Sequence, residues 1–96
     1  MILHFKSKGA EDLYHGINSK DSLKIPHDLW KAARRKLDML QSAHSLEDLR
    51  MLPGNKLEVL KGNLEGRWSI RINDQYRIVF IFEEKNAREV EIVDYH

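Results

Sequence analysis

The spacing of apolar positions changes near residue 56, and the change divides the chain into two kinds of structure. Before it, Leu29, Ala33, Leu37 and Leu40 recur at i, i+4, i+8 and i+11, the one-sided stripe of an amphipathic helix. The predicted helix runs from about residue 26 to residue 41. Pro26 suits a first helical turn, and Asp28 puts negative charge near the positive end of the helix dipole. Lys31, Arg34, Arg35 and Asp38 fall largely off the stripe and give the helix a solvated face. Ahead of it, residues 1–5 read as a short opening strand and 8–15 as a brief helix, followed by a polar stretch over 16–21. Behind it, Ser45-Leu46-Glu47-Asp48 suits the capping of one short turn.

From residue 56 the pattern alternates. Four strands are predicted: 56–61 (KLEVLK), 67–72 (RWSIRI), 76–82 (YRIVFIF) and 89–95 (EVEIVDY). The connections GNLEG, NDQ and a polar stretch around Lys85-Asn86 are short enough for antiparallel hairpins. Helices first and sheet second define an α+β chain, with two N-terminal helices and an antiparallel sheet of about four strands.

The hairpin at Asn73-Asp74-Gln75 fixes its own register. A two-residue turn would mix apolar and charged residues on both faces. A three-residue loop pairs Ile72 with Tyr76, Ile70 with Ile78 and Trp68 with Phe80, which gives one apolar face, and register follows the buried face. The same alignment sets Arg71 opposite Arg77 on the other face, an arrangement of like charges that costs stability. Either the guanidiniums reach water or acidic partners, or the pair awaits an anion such as a phosphate. In the last strand, Asp94 and His96 are two apart and share a face, while Tyr95 points away. A carboxylate beside an imidazole can fix its tautomer and make it a useful acid or base.

Composition narrows the classes. Ninety-six residues, 42% hydrophobic and 32% charged, suit one folded domain, expected over 1–96. A net charge of +1 excludes a globally basic nucleic-acid binder, although Lys61, Arg67, Arg71 and Arg77 can form a local patch. There are no cysteines, hence no disulfides or thiolate metal sites. No apolar run reaches the ~18 residues of a membrane span, and the first residues are too mixed for a signal peptide, so the expected address is the cytoplasm. Neither a cofactor nor a metal is expected. Asp94 and His96 would need a third ligand, for which Glu58 is the only obvious strand candidate, and no phosphate loop or nucleophile elbow occurs.

The stretch LKGNLEGRWSIRINDQYRIVFIF, followed by a terminal VEIVDYH, resembles the HigB branch of the RelE-like toxins of bacterial toxin–antitoxin pairs. The resemblance covers nearly the whole chain and is strongest over 55–96. It implies a compact ribonuclease fold, two helices on a twisted antiparallel sheet, and metal-independent cleavage of mRNA on the translating ribosome. It also implies a helix-turn-helix, HigA-like antitoxin, through which operator DNA is bound indirectly. The family's site positions fall on Lys61, Arg77, Asp94, Tyr95 and His96. On that basis Arg77 stabilises charge with Lys61 and Arg71 assisting, His96 moves the proton with Asp94 orienting it, and Tyr95 stacks on a base or donates to a phosphate. Arg67 and Arg71 are expected to contact RNA. Where some members carry a histidine, this chain has Glu58, which shifts the acid–base load to His96 or to a Glu58 of raised pKa. The competing classes are a gyrase poison sharing the fold and a non-catalytic binding module.

Overall fold

The computed structural model describes residues 1–94. Helices α1 (Lys8–Tyr14), α2 (Trp30–Ser42) and α3 (Leu46–Arg50) come first, and strands β1 (Glu58–Val59), β2 (Trp68–Arg71), β3 (Tyr76–Glu83) and β4 (Asn86–Asp94) follow. The strands form one antiparallel sheet in the order β1-β2-β3-β4. This is the α+β arrangement that the change of period predicts.

Ser7 and Ser45 mark where α1 and α3 begin. Each hydroxyl accepts from a first-turn amide, Ala10 N at 3.2 Å and Asp48 N at 3.3 Å. Helix α2 opens later than the proline suggests. His27–Leu29 form a 3-10 turn, and the helix proper starts at Trp30, whose indole Nε1 donates to the Ile25 carbonyl at 3.0 Å. That bond puts a buried indole, rather than the half-buried Leu29, at the head of the apolar stripe. The opening segment also differs from a regular strand. It runs parallel beside β4 through the isolated bridges Ile2↔Ala87 and Phe5↔Val90.

The β2–β3 register is the predicted one: Trp68↔Phe80, Ile70↔Ile78 and Arg71↔Arg77, with Ile72 N donating to Tyr76 O at 2.9 Å across the three-residue loop. Strand β1 is shorter than predicted, because Lys56 takes a left-handed φ of 46° and Gly62–Leu64 curl into a 3-10 turn. Strand β4 is longer. Glu84 and Lys85, at φ 50° and 68°, make the left-handed pair that the tightest hairpin requires, so pairing resumes at Asn86. The register then slips between Val79 and Ile81, a bulge in which Glu89 takes φ 48°.

Leu13, Trp30, Ala33, Leu37, Leu40 and Leu49 from the helices meet Ile70, Ile78, Phe80, Ala87 and Val90 from the sheet. Each large apolar side chain withdrawn from water contributes about 1.5–3 kcal/mol. The helices thereby occupy one face of the sheet, and the alternate residues of β2 and β3 project from the other. Among the described residues, no helix is long and apolar enough to cross a membrane.

Candidate active site

Arg71 and Arg77 stand directly across the β2–β3 ladder, and by alternation they face away from Ile70 and Ile78. The adjoining row reads Glu58, Ser69, Val79 and Glu91 across the four strands. Asn73 secures the hairpin between the arginines. Its Oδ1 accepts from Gln75 N at 2.9 Å and Tyr76 N at 2.7 Å, an Asx turn.

Each guanidinium has found a carboxylate, so the like charges do not confront each other unscreened. Arg77 Nη1 lies 3.4 Å from Glu58 Oε1, and Arg71 pairs with Asp74 at the hairpin tip. The cations are sunk and the acids exposed. Arg77 is 14% and Arg71 28% accessible, against 49% for Glu58 and 95% for Asp74. Arg67, beside β2, repeats the arrangement: it pairs at 3.2 Å with Glu89 of the bulge.

The remaining expected site residues are more dispersed. The β4 register sets Asp94 opposite Tyr76 and Val93 opposite Arg77. Asp94 is thus at the Arg77 end of the sheet but in the row of alternate parity, and its Oδ2 accepts from Gln75 Nε2 at 3.0 Å. Lys61 is exposed at the head of the 3-10 turn, beyond the end of β1. The expectations for Tyr95 and His96 lie outside the described residues. No group of three or more His, Asp or Glu side chains arranged for a metal ion occurs among the described residues.

Three buried polar residues in or under this face escaped the sequence reading. Asn55 is fully buried; its Oδ1 accepts from the Lys36 ammonium, its Nδ2 donates to Leu49 O at 3.1 Å, and its carbonyl accepts Arg71 N at 2.7 Å. Lys36 is itself buried. Burial, and then the positive charges of Arg35 and Arg71, push its pKa below the ordinary lysine value. The signal was present: Ala33, Lys36 and Leu40 share one helical stripe, so Lys36 is on the buried face by spacing alone. Ser69, buried between Arg67 and Arg71 in sequence, has a hydroxyl with no hydrogen-bond partner among the described residues.

A family model described as the RelE-like toxin of the type II toxin–antitoxin system HigB matches residues 3–96. The chain is 45% identical over 80 residues to Toxin HigB-1 of Vibrio cholerae serotype O1, covering 83% of this chain and 82% of that one. It is 32% identical over 97 residues to Endoribonuclease HigB of Proteus vulgaris, with both chains covered completely. Among solved structures, the YoeB–YefM complex from Staphylococcus aureus contains a chain that superposes with a TM-score of 0.60 at 21% identity, covering 100% of this chain and 98% of that one. A YoeB/ParE toxin from Agrobacterium tumefaciens gives 0.59 at 15% identity, with 99% and 98% covered. At such identities these two establish the fold alone.

Proposed function

The chain belongs to the HigB-like family of RelE-like toxins of type II toxin–antitoxin systems, and from that premise we propose that it is an endoribonuclease acting on mRNA held by the translating ribosome. The ribose 2′-oxygen attacks the adjacent phosphorus. A new P–O bond forms as the bond to the 5′-oxygen breaks, leaving a cyclic phosphate and a free 5′-hydroxyl. The step needs an acceptor for the 2′ proton, positive charge at the phosphoryl oxygens and a donor for the leaving oxygen. It needs no metal.

Arg77 supplies the charge, with Arg71 across the ladder and Lys61 assisting, because a guanidinium fork matches phosphate oxygens. His96 carries the proton and Asp94 orients it, although Asp94 stands at the Arg77 end of the sheet in the row of alternate parity. Tyr95 stacks on a base, worth roughly 1–3 kcal/mol. Arg67 and Arg71 hold flanking phosphates. The observation that carries this reading is the Arg71–Arg77 row, two anchored guanidiniums side by side on the sheet face that the helices leave open. A net charge of +1 is small for an enzyme that must capture RNA unaided, and suits one that enters a site where the RNA is already held.

A toxin of this class has an antitoxin partner. We infer a helix-turn-helix, HigA-like protein, through which the pair reaches operator DNA, and action in the cytoplasm where ribosomes are. The test is induced expression of wild type, Arg77→Ala and His96→Ala, with mapping of mRNA ends. Loss of either group is expected to lower cleavage by roughly 10²–10³-fold and release growth arrest. Arrest that survives both substitutions refutes the nuclease reading, and arrested replication with intact mRNA replaces it with gyrase poisoning.

A further inference from the structure

Arg77 is held on both sides, since β3 bonds to β2 and to β4, and its side chain is largely sunk. Its partner is held loosely. Glu58 belongs to a two-residue edge strand bonded only to β2, and about half of it is exposed. Their 3.4 Å separation exceeds the ~2.7–2.9 Å of a tight charge-assisted hydrogen bond. If one partner is to leave, it is the acid.

We propose that Glu58 is a displaceable counter-ion: it occupies the Arg77 guanidinium in the free toxin and yields it to the RNA phosphate, so that it tunes substrate affinity and carries no proton. The proposal rests on the nuclease reading. Arg71 with Asp74 and Arg67 with Glu89 repeat the pattern, the first acid on a hairpin tip and the second in a bulge. In the free protein the Arg71–Arg77 row is neutralised by Glu58 and Asp74, which leaves little long-range pull on stray RNA. A phosphate that arrives in contact competes directly for the guanidinium. A carboxylate at Glu58 opposes that binding twice, by occupying the cation and by repelling the anion.

The test uses full-length toxin with programmed ribosomes and compares wild type, Glu58→Gln and Glu58→Asp in KM, kcat and salt dependence. Glutamine keeps the size and removes the charge. Exposed ion pairs are weak, so KM is expected to fall about two- to fivefold in Glu58→Gln, with kcat within about twofold and a steeper loss of affinity with salt. Glu58→Asp, which keeps the charge, stays near wild type in KM and in salt response. A roughly hundredfold or greater fall in kcat for Glu58→Gln overturns the proposal, because it makes Glu58 a proton carrier. Unchanged KM and salt dependence, with only a lower melting temperature, also overturn it and leave Glu58 as a brace. Both outcomes leave the nuclease reading intact. If wild type leaves ribosome-bound mRNA uncut, both readings fall together.

Discussion

Truncating Asn55 to alanine separates the helical layer from the arginine face at one point. The substitution strands the Lys36 ammonium, which donates to Asn55 Oδ1, and leaves Leu49 O without the Nδ2 donor 3.1 Å away. A hydrogen bond to a charged group contributes about 1.5–3 kcal/mol and a neutral one about 1. Lys36 is then left unsatisfied in the interior, while Leu49 O keeps the 3.4 Å bond from Leu52 N, so the expected loss is about 2–4 kcal/mol. Against a total of about 5–14 kcal/mol for a chain of this length, that is a large fraction.

The loss should depend on pH. Lys36 already has a folded pKa below its ordinary 10.5, so between the two values the unfolded chain binds more protons and stability rises with pH. Without Asn55 the folded value drops further, and the window widens downward. Urea titrations at about pH 7 and about pH 9.5 should show the Asn55→Ala deficit shrinking at the higher pH. Lys36→Met should cost less, about 1–2 kcal/mol, because it removes the buried charge and leaves only the amide oxygen unpaired. A deficit under about 1 kcal/mol, or one indifferent to pH, would refute the reasoning.

Gly9→Ala improves helix propensity by about 1 kcal/mol, yet its Cβ would lie 2.8 Å from the Asp21 backbone oxygen; the expected result is a lower melting temperature, and a higher one contradicts it. Asp12 is buried, and the Ser19 hydroxyl at 2.7 Å, with Lys8 and the His15 charge, holds its carboxyl below 3.8 against the opposing effect of burial. Its contribution is therefore present above the unfolded pKa and disappears as pH falls through the folded one, so Asp12→Asn should flatten the acid limb of a circular-dichroism titration. Ser69→Ala deletes a buried hydroxyl that has no partner among the described residues and should leave stability unchanged or raise it by up to about 1 kcal/mol in urea; a comparable loss would show that the hydroxyl is satisfied.

Most of the sheet was legible because burial leaves few alternatives. Only the three-residue loop at Asn73-Asp74-Gln75 gives β2 and β3 a common apolar face, and the Arg71–Arg77 row came with it. The start of α2 was not legible. Pro26 and Asp28 are sound local signals, but the helix starts four residues later, where the Trp30 indole bonds back to Ile25 O, a side-chain contact that apolar spacing does not reveal. The turn at Glu84-Lys85 contains neither the glycine nor the asparagine that left-handed positions favour, so the beginning of β4 was hidden. The acidic partners were hidden too, because they are set by side-chain reach across β1, the hairpin and the bulge.

These failures and the site have a common cause. Arg67, Arg71 and Arg77 occupy or adjoin the regular inner strands, where alternation can be read, while Glu58, Asp74 and Glu89 occupy a truncated edge strand, a turn and a bulge, where it cannot. A cation that must keep its position for a phosphate needs the rigid ladder beneath it. An acid that must give way needs the opposite, a backbone with few bonds to break. Were the acids also on central strands, each pair would be a fixed ion pair, and an incoming phosphate would meet a neutral surface that could not open. Because screening confines surface charges to about 8 Å at physiological salt, the proposed exchange at contact would let a chain of net charge +1 offer its three paired arginines to a phosphate while attracting RNA little at a distance. Irregularity in the sheet is thus where the proposed site is expected to move, and the regular strands are what it moves against.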